Sequence, residues 1–309
     1  GTNIAQAEQS IRDLEKNRSD IEQQILTLEV PPEPENTRDI THWDTIDFAA
    51  QDTVTFYGAG TPHGIGMSQY GAKAMAQKGS AYKDILTHYY QGTYLQQINT
   101  SNYEVRIKLS ASLSGGSLGI EGGSAQVSYA GTTDTYTAGK TVVVRAGMVI
   151  TPLESATRLR VHYKYDKFNL YRGSIEIIQG SAGLLTVNRL NIEDYLRSVI
   201  SGEMSARWPL EALKAQAVAA RNYAYKNYKP SQSYDLCDTP ACQVYLGADY
   251  EFASTNQAVD ETRGILLYYG DQIITGYYFS TSGGWTENNE NVWGGIPLPW
   301  LRGVASPGE

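Results

Sequence analysis

Apolar residues recur at alternating steps of three and four near the start of the chain: Ile4, Ala7, Ile11, Leu14, Arg18, Ile21, Ile25 and Leu28. Seven of these eight positions are apolar, and Gln, Glu, Asp, Arg and Asn dominate the positions between them. Such spacing buries one narrow stripe, as in the seam of a coiled coil. A single amphipathic helix packed on a globular domain would show the same stripe. Residues 1–30 are read as a coiled-coil helix, the end of a longer coil, through which residues 4–28 could dimerise the chain or recruit a partner. Pro31, Pro32 and Pro34 stop it, because proline lacks the amide proton and pushes the residue before it to extended geometry. Residues 31–45 then read as a Pro-rich linker.

The pattern changes at Thr53. Val54 to Tyr57 reads as a short strand, followed by a loop punctuated by Gly58, Gly60, Gly64 and Gly66. Met67 to Lys78 reads as a helix ending at Gly79, and Ala81 to Tyr90 as a second helix capped by Ser80. Strict alternation at Val105 to Leu109, with similar stretches around Val142–Val144, Leu159–Tyr163 and Ile175–Ile178, predicts a β-rich module over about 103–190. Glu193 to Ile200 reads as a helix. Leu210 to Tyr228 reads as a stronger one, with Pro209 at its start and a small-residue face of Leu213, Ala217, Ala220 and Ala224. Short strands follow at Gly264–Tyr268 and Ile273–Phe279, then a Gly- and Asn-rich loop from Ser280 to Gly295. The fold class is α+β: a mixed helical and β domain over 46–309 with a β-rich module, preceded by the N-terminal coiled-coil helix.

Composition removes several functions. Of 309 residues, 33 are acidic and 25 basic, a net charge of −8 with no basic cluster, which argues against a nucleic-acid partner. No apolar run approaches the roughly 20 residues of a membrane helix, so any anchor would belong to a segment not present in this chain. Tyrosine is abundant (23) while phenylalanine is scarce (5). Tyrosine joins a large apolar body to a polar tip, which suits carbohydrate-facing surfaces and β-cores alike.

Four segments could carry chemistry. Glu203, in Ser201-Gly202-Glu203-Met204-Ser205, stands between two helices and could be a helix-end carboxylate or a general acid whose pKa an apolar setting raises. The loop Ser280 to Asn288 gathers hydroxyls, an amide and Trp285 around two glycines. Its Ser280, Ser282, Gly283, Gly284, Thr286, Glu287 and Asn288 are candidate sugar contacts, or simply a turn-rich connection. The glycine-rich run from Gly60 to Gln69 lacks the Lys-Ser/Thr ending of a phosphate cradle, leaving His63, Ser68 and Gln69 as candidate ligand contacts. Cys237 and Cys242 could form a disulfide, remain free thiols or supply half of a metal site; none of the four histidines lies near them in sequence.

Taken together, separate segments resemble one family. They include Val187-Asn188-Arg189-Leu190, Glu193-Asp194-Tyr195-Leu196, Gly202-Glu203-Met204, the unbroken run from Trp208 to Arg221, Cys242-Gln243-Val244-Tyr245, Ser282-Gly283-Gly284 and Val292-Trp293-Gly294-Gly295. The chain resembles the stage II sporulation protein D family, whose domain is shared with the amidase enhancer LytB. The resemblance implies an extracytoplasmic lytic transglycosylase, acting on peptidoglycan glycan strands stripped of stem peptides, with Glu203 as acid and then base. The alternative it leaves is a non-catalytic, peptidoglycan-binding enhancer of an N-acetylmuramoyl-L-alanine amidase. The chain departs from the family pattern in three ways. The His63 segment precedes the catalytic block, Thr61 and Pro62 stand inside the family's Gly-x-Gly-His-Gly run, and Ala241 sits where a zinc-ligating His would be expected. No cofactor is therefore assigned, and zinc is not carried over.

Overall fold

The computed structural model describes residues 62–110, 116–162, 168–181 and 183–309. The coiled-coil helix, the linker and the strand read at Val54–Tyr57 lie outside the described residues.

Six α-helices are found among the described residues. They are α1 (Gln69–Gln77), α2 (Tyr82–Tyr89), α3 (Ile192–Glu203), α4 (Leu210–Lys226), α5 (Ala253–Glu261) and the short α6 (Asn289–Trp293). Helix α4 is the hub: α1, α2, α3, α5 and the strand Ile265–Tyr269 all pack on it. Its composition explains why. Ala212, Ala215, Ala217, Ala219, Ala220 and Ala224 are all fully buried, so neighbours approach its backbone closely from several sides. At Gly276 the approach is so close that a Cβ would lie 2.5 Å from the Ala219 carbonyl oxygen.

Several polar groups buried around α4 are paired, although the side-chain amide of Gln216 on the helix itself has no hydrogen-bond partner among the described residues. Arg221 and Glu193, both essentially inaccessible, form an ion pair at 2.7 Å between α4 and α3. Glu193 also accepts from Thr100 Oγ1 and from the Gly264 amide. Asn222 donates to the carbonyls of Leu267 and Ile274 and accepts from the Leu267 amide, so it stitches two neighbouring segments to the helix. Buried charge of this kind is tolerable only when hydrogen bonds satisfy it.

The β-structure forms several sheets. A seven-stranded sheet runs in the order Leu236–Cys237, Glu104–Leu109, Gly183–Asn191, Ser174–Gly180, Val149–Pro152, Ser124–Tyr129 and Thr132–Thr137. The strand Glu104–Leu109 buries Val105, Ile107 and Leu109 and leaves the residues between them more open, as its alternation dictates. A four-stranded sheet contains Arg158–His162 and Ser117–Glu121, and a three-stranded one pairs Tyr94–Gln97 with Ile265–Tyr269. The smallest sheet matters most for the site: Met67–Ser68 pairs in parallel with Tyr278–Phe279. Gly66 permits it, since its φ is +81° and a Cβ there would meet the Tyr277 carbonyl oxygen at 2.1 Å.

Several element boundaries differ from the sequence reading. Helix α1 begins at Gln69 because Met67 and Ser68 are taken into that parallel pair, and Ser68 becomes the N-cap. Ser80 does not cap α2. Its Tyr82 amide instead donates to Glu211 Oε2 at 2.7 Å, a cap supplied by α4. Helix α3 runs on past Ile200 to end at Glu203. Helix α5 and the strand Tyr94–Gln97 have weak patterns and only their packing reveals them, while α6 interrupts the Ser280–Gly295 loop.

Candidate active site

Glu203 is the last residue of α3 and lines a cleft. Gly202 before it is required by a close approach: a Cβ there would lie 2.7 Å from the Val244 carbonyl oxygen. That approach lets the Val244 amide donate to Glu203 Oε1 at 2.8 Å. Tyr278 also hydrogen-bonds the carboxylate. The Tyr278 hydroxyl in turn accepts from Gln243 Nε2 at 2.9 Å, and Tyr195 donates to Gln243 Oε1 at 3.2 Å. A buried chain of three polar side chains thus fixes the orientation of one carboxylate.

Burial pushes the Glu203 carboxyl above its ordinary value, and the bonds from Val244 and Tyr278 only partly oppose that. Burial, reinforced by the nearby Glu203 charge, drives the Tyr278 phenol well above its ordinary range, so it remains a donor. A carboxylic acid held partly buried, oriented and with a raised pKa is suited to the role of proton donor.

Glu203 lines a cleft of about 380 Å³, within the size range of small-ligand sites. The cleft is walled by Pro62, His63, Gln69, Tyr223, Pro240, Ala241, Cys242, Tyr277, Tyr278, Phe279, Ser280 and Trp293. Glu203 is the one carboxylate among these residues. One wall is aromatic and continuous: His63 packs on Phe279 and Trp293, Trp293 on Tyr277, and Tyr277 on Tyr223. Trp293 keeps about half its surface exposed (49%), which leaves a ring available to a ligand.

Of the residues singled out from sequence, the structure brings Glu203, His63, Gln69 and Ser280 to this cleft. His63 is tied at its ring, with Nδ1 accepting from the Ile65 amide at 3.0 Å and a second bond to the Tyr278 backbone. Burial lowers its pKa, and its ring is engaged with the backbone as part of the cleft wall. Ser68 is fully buried as the α1 cap, accepting from the Gly71 amide, and does not face the cleft.

The other loop residues are engaged in building the loop. Ser282 and Gly283 donate to the Glu309 carboxylate together with Thr281 and Ser306. Those donors hold the Glu309 carboxyl down at about 2 against the burial that opposes them. The Gly284 amide donates to Ser282 Oγ, and Thr286 Oγ1 accepts from Val304. Glu287 accepts from Asn288 and Asn291, and Asn288 accepts from the Gly303 amide. These groups thus have partners within the loop and its clasp, and of the loop candidates Ser280 is the one that lines the cleft with Glu203.

Cys237 and Cys242 form a disulfide. The bridge closes the loop whose Pro240, Ala241 and Cys242 wall the cleft, two residues before the Val244 that bonds Glu203. Among the described residues no group of His, Cys, Asp and Glu has the arrangement of a metal site. Tyr278, Gln243, Val244 and Tyr195 escaped the sequence reading as functional residues. Tyr195, Gln243 and Val244 lie within segments that carry the family resemblance and nothing local marks Tyr278, but each gains its part in the site only through a contact made across the fold.

Residues 180–269 match the family model described as "Stage II sporulation protein". An uncharacterized protein of Brachyspira hyodysenteriae is 44% identical over 137 residues, 43% of this chain and 37% of that protein. The amidase enhancer of Bacillus subtilis is 43% identical over 106 residues, 34% of this chain and 14% of its own length. Stage II sporulation protein D of Bacillus subtilis is 34% identical over 139 residues, 40% of each chain. The matched segments span well under half the length of each of these relatives.

Proposed function

We propose that this chain, whose residues 180–269 match the stage II sporulation protein family, is a peptidoglycan lytic transglycosylase. The observation that carries this reading is the single oriented carboxylate of a cleft with an aromatic wall. Hydrolysis of a glycosidic bond ordinarily uses two carboxyl groups, one to serve as acid and the other as base or nucleophile. One carboxyl suffices where the substrate supplies its own nucleophile.

The proposed cycle is balanced without water. Protonated Glu203 donates to the glycosidic oxygen as the bond from muramoyl C1 to that oxygen breaks. The muramoyl C6 hydroxyl attacks C1, and its proton passes to the Glu203 carboxylate, which restores the acid. The products are a chain end carrying a free hydroxyl and a 1,6-anhydromuramoyl end. Tyr278 and the Val244 amide hold the carboxylate in place, stabilising its charged form between the two transfers. Such a substrate implies an extracytoplasmic location, to which a disulfide-bonded loop is suited.

Digestion of glycan strands freed of stem peptides tests the proposal. Mass spectrometry should find 1,6-anhydromuramoyl ends with the parent chain and at least a hundredfold fewer with Glu203→Gln. Equal yields from the two would exclude Glu203 as the acid. The similarity to an amidase enhancer favours one alternative, a glycan-binding partner that stimulates an amidase without cutting glycan. In that case Glu203→Gln would leave amidase stimulation unchanged and neither chain would produce anhydro ends.

A further inference from the structure

Helix α1 carries the cleft outward. Its first residue, Gln69, lines the cleft and is only 7% exposed, yet its Nε2 has no hydrogen-bond partner among the described residues. A buried amide donor without an acceptor is costly, and here it faces a space a ligand can enter. The next residue, Tyr70, is tied to the cleft wall through its amide, which donates to the Ser280 carbonyl at 3.1 Å. Its side chain nevertheless points outward and is 45% exposed.

Tyr70 packs edge-to-face on Trp208, with ring centroids 4.9 Å apart. Trp208 comes from the connection just after Glu203, so this aromatic pair spans from α1 to the catalytic segment. Lys73, one turn along α1, places its ammonium 5.4 Å from the Tyr70 ring centroid and 5.0 Å from that of Trp208. No carboxylate forms an ion pair with Lys73 among the described residues. An aromatic surface with a positionally fixed, uncompensated cation suits an anionic sugar better than a neutral one.

We propose that Tyr70, Trp208 and Lys73 form a second carbohydrate subsite, outside the cleft, for a muramoyl residue bearing a free lactyl carboxylate. This rests on the glycan-cleaving reading above and extends it to recognition. Between the two sugars of peptidoglycan only the muramoyl residue carries a lactyl group, and that group is anionic only when no stem peptide caps it as an amide. Tyr70 and Trp208 supply the apolar surface for the ring, Lys73 pairs with the carboxylate, and the Gln69 amide meets a carbonyl of the sugar that enters the cleft.

The test uses the full chain with Glu203→Gln, so that bound glycan is not consumed. Binding is measured by titration calorimetry against denuded glycan strands and against chitooligosaccharides of equal length, which lack the lactyl group. Lys73→Gln should weaken denuded-strand binding about fivefold, remove much of its salt dependence, and leave chitooligosaccharide binding unchanged. Tyr70→Ser should weaken both about tenfold. If Lys73→Gln affects both ligands equally or neither, or Tyr70→Ser changes nothing, the subsite is wrong while the cleft assignment stands. If the parent chain binds neither glycan, both the subsite and the function it rests on fall.

Discussion

At the residue scale, one carboxyl group is made useful by its neighbours. Tyr278 donates to the charged form of Glu203 and so lowers its pKa, against the burial that raises it. Removing that donor should raise the pKa further. A general acid must be protonated to act, so its activity falls as pH rises through its pKa. We expect the alkaline limb of the pH–rate profile to lie above the ordinary glutamate value, and Tyr278→Phe to move it to still higher pH. A limb that moves to lower pH would contradict the assigned hydrogen bond. Gly202→Ala should act differently, because its Cβ would displace the Val244 backbone and cost the 2.8 Å bond to Oε1. Losing that charge-assisted bond is expected to lower turnover by roughly tenfold or more, in line with about 1.5–3 kcal/mol, with little change in glycan affinity. Steady-state kinetics separates the two effects. Glu203 itself was legible in the sequence through the block around it, whereas Tyr278 was not, being one tyrosine among 23.

At the element scale, the site depends on how the end of α3, the disulfide loop and the parallel pair at Tyr278–Phe279 are held together. The bridge between Cys237 and Cys242 closes a short ring, so its effect on global stability is at most on the order of 2 kcal/mol. Its position matters more, because the same loop forms one wall of the cleft and ends two residues before Val244. Replacing both cysteines with serine should therefore lower activity while circular dichroism stays native. The ion pair of Arg221 and Glu193 has the opposite profile. It lies beneath the site, where Arg221→Met would leave Glu193 buried without its partner. A loss of about 3–5 kcal/mol in denaturant unfolding is expected. Periodicity marked α3 and α4 because each has a strong apolar or small-residue pattern. It missed the tertiary cap that Glu211 supplies to α2 and the takeover of Met67 and Ser68 by a strand. Both are settled by partners far away in sequence.

At the scale of the whole molecule, residues 62–69, Glu203, Tyr223, residues 240–242 and residues 277–293 contribute to one cleft. A clasp around Glu309 braces the last of them, with its carboxylate held by Thr281, Ser282, Gly283 and Ser306. The carboxyl is depressed from 4.5 to about 2, so the clasp contributes fully above the ordinary value and is lost as pH falls through about 2. Hydrogen exchange at the Ser282 and Gly283 amides should quicken across that window, after correction for intrinsic rates. In Glu309→Gln it should be fast at all pH values. Unchanged protection in that variant would show that the loop holds itself. The sequence alone determined the α+β class, the main helices, the alternating strands and the family block around Glu203, because these follow from local periodicity and from unbroken motifs. Tertiary structure decided which polar groups face the cleft and which are consumed in folding. It turned His63 into a tied wall residue, directed Ser282 and Gly283 to Glu309, and brought Tyr278 to Glu203. Hydrogen bonding and burial are properties of distance in space, and no spacing along the chain encodes them.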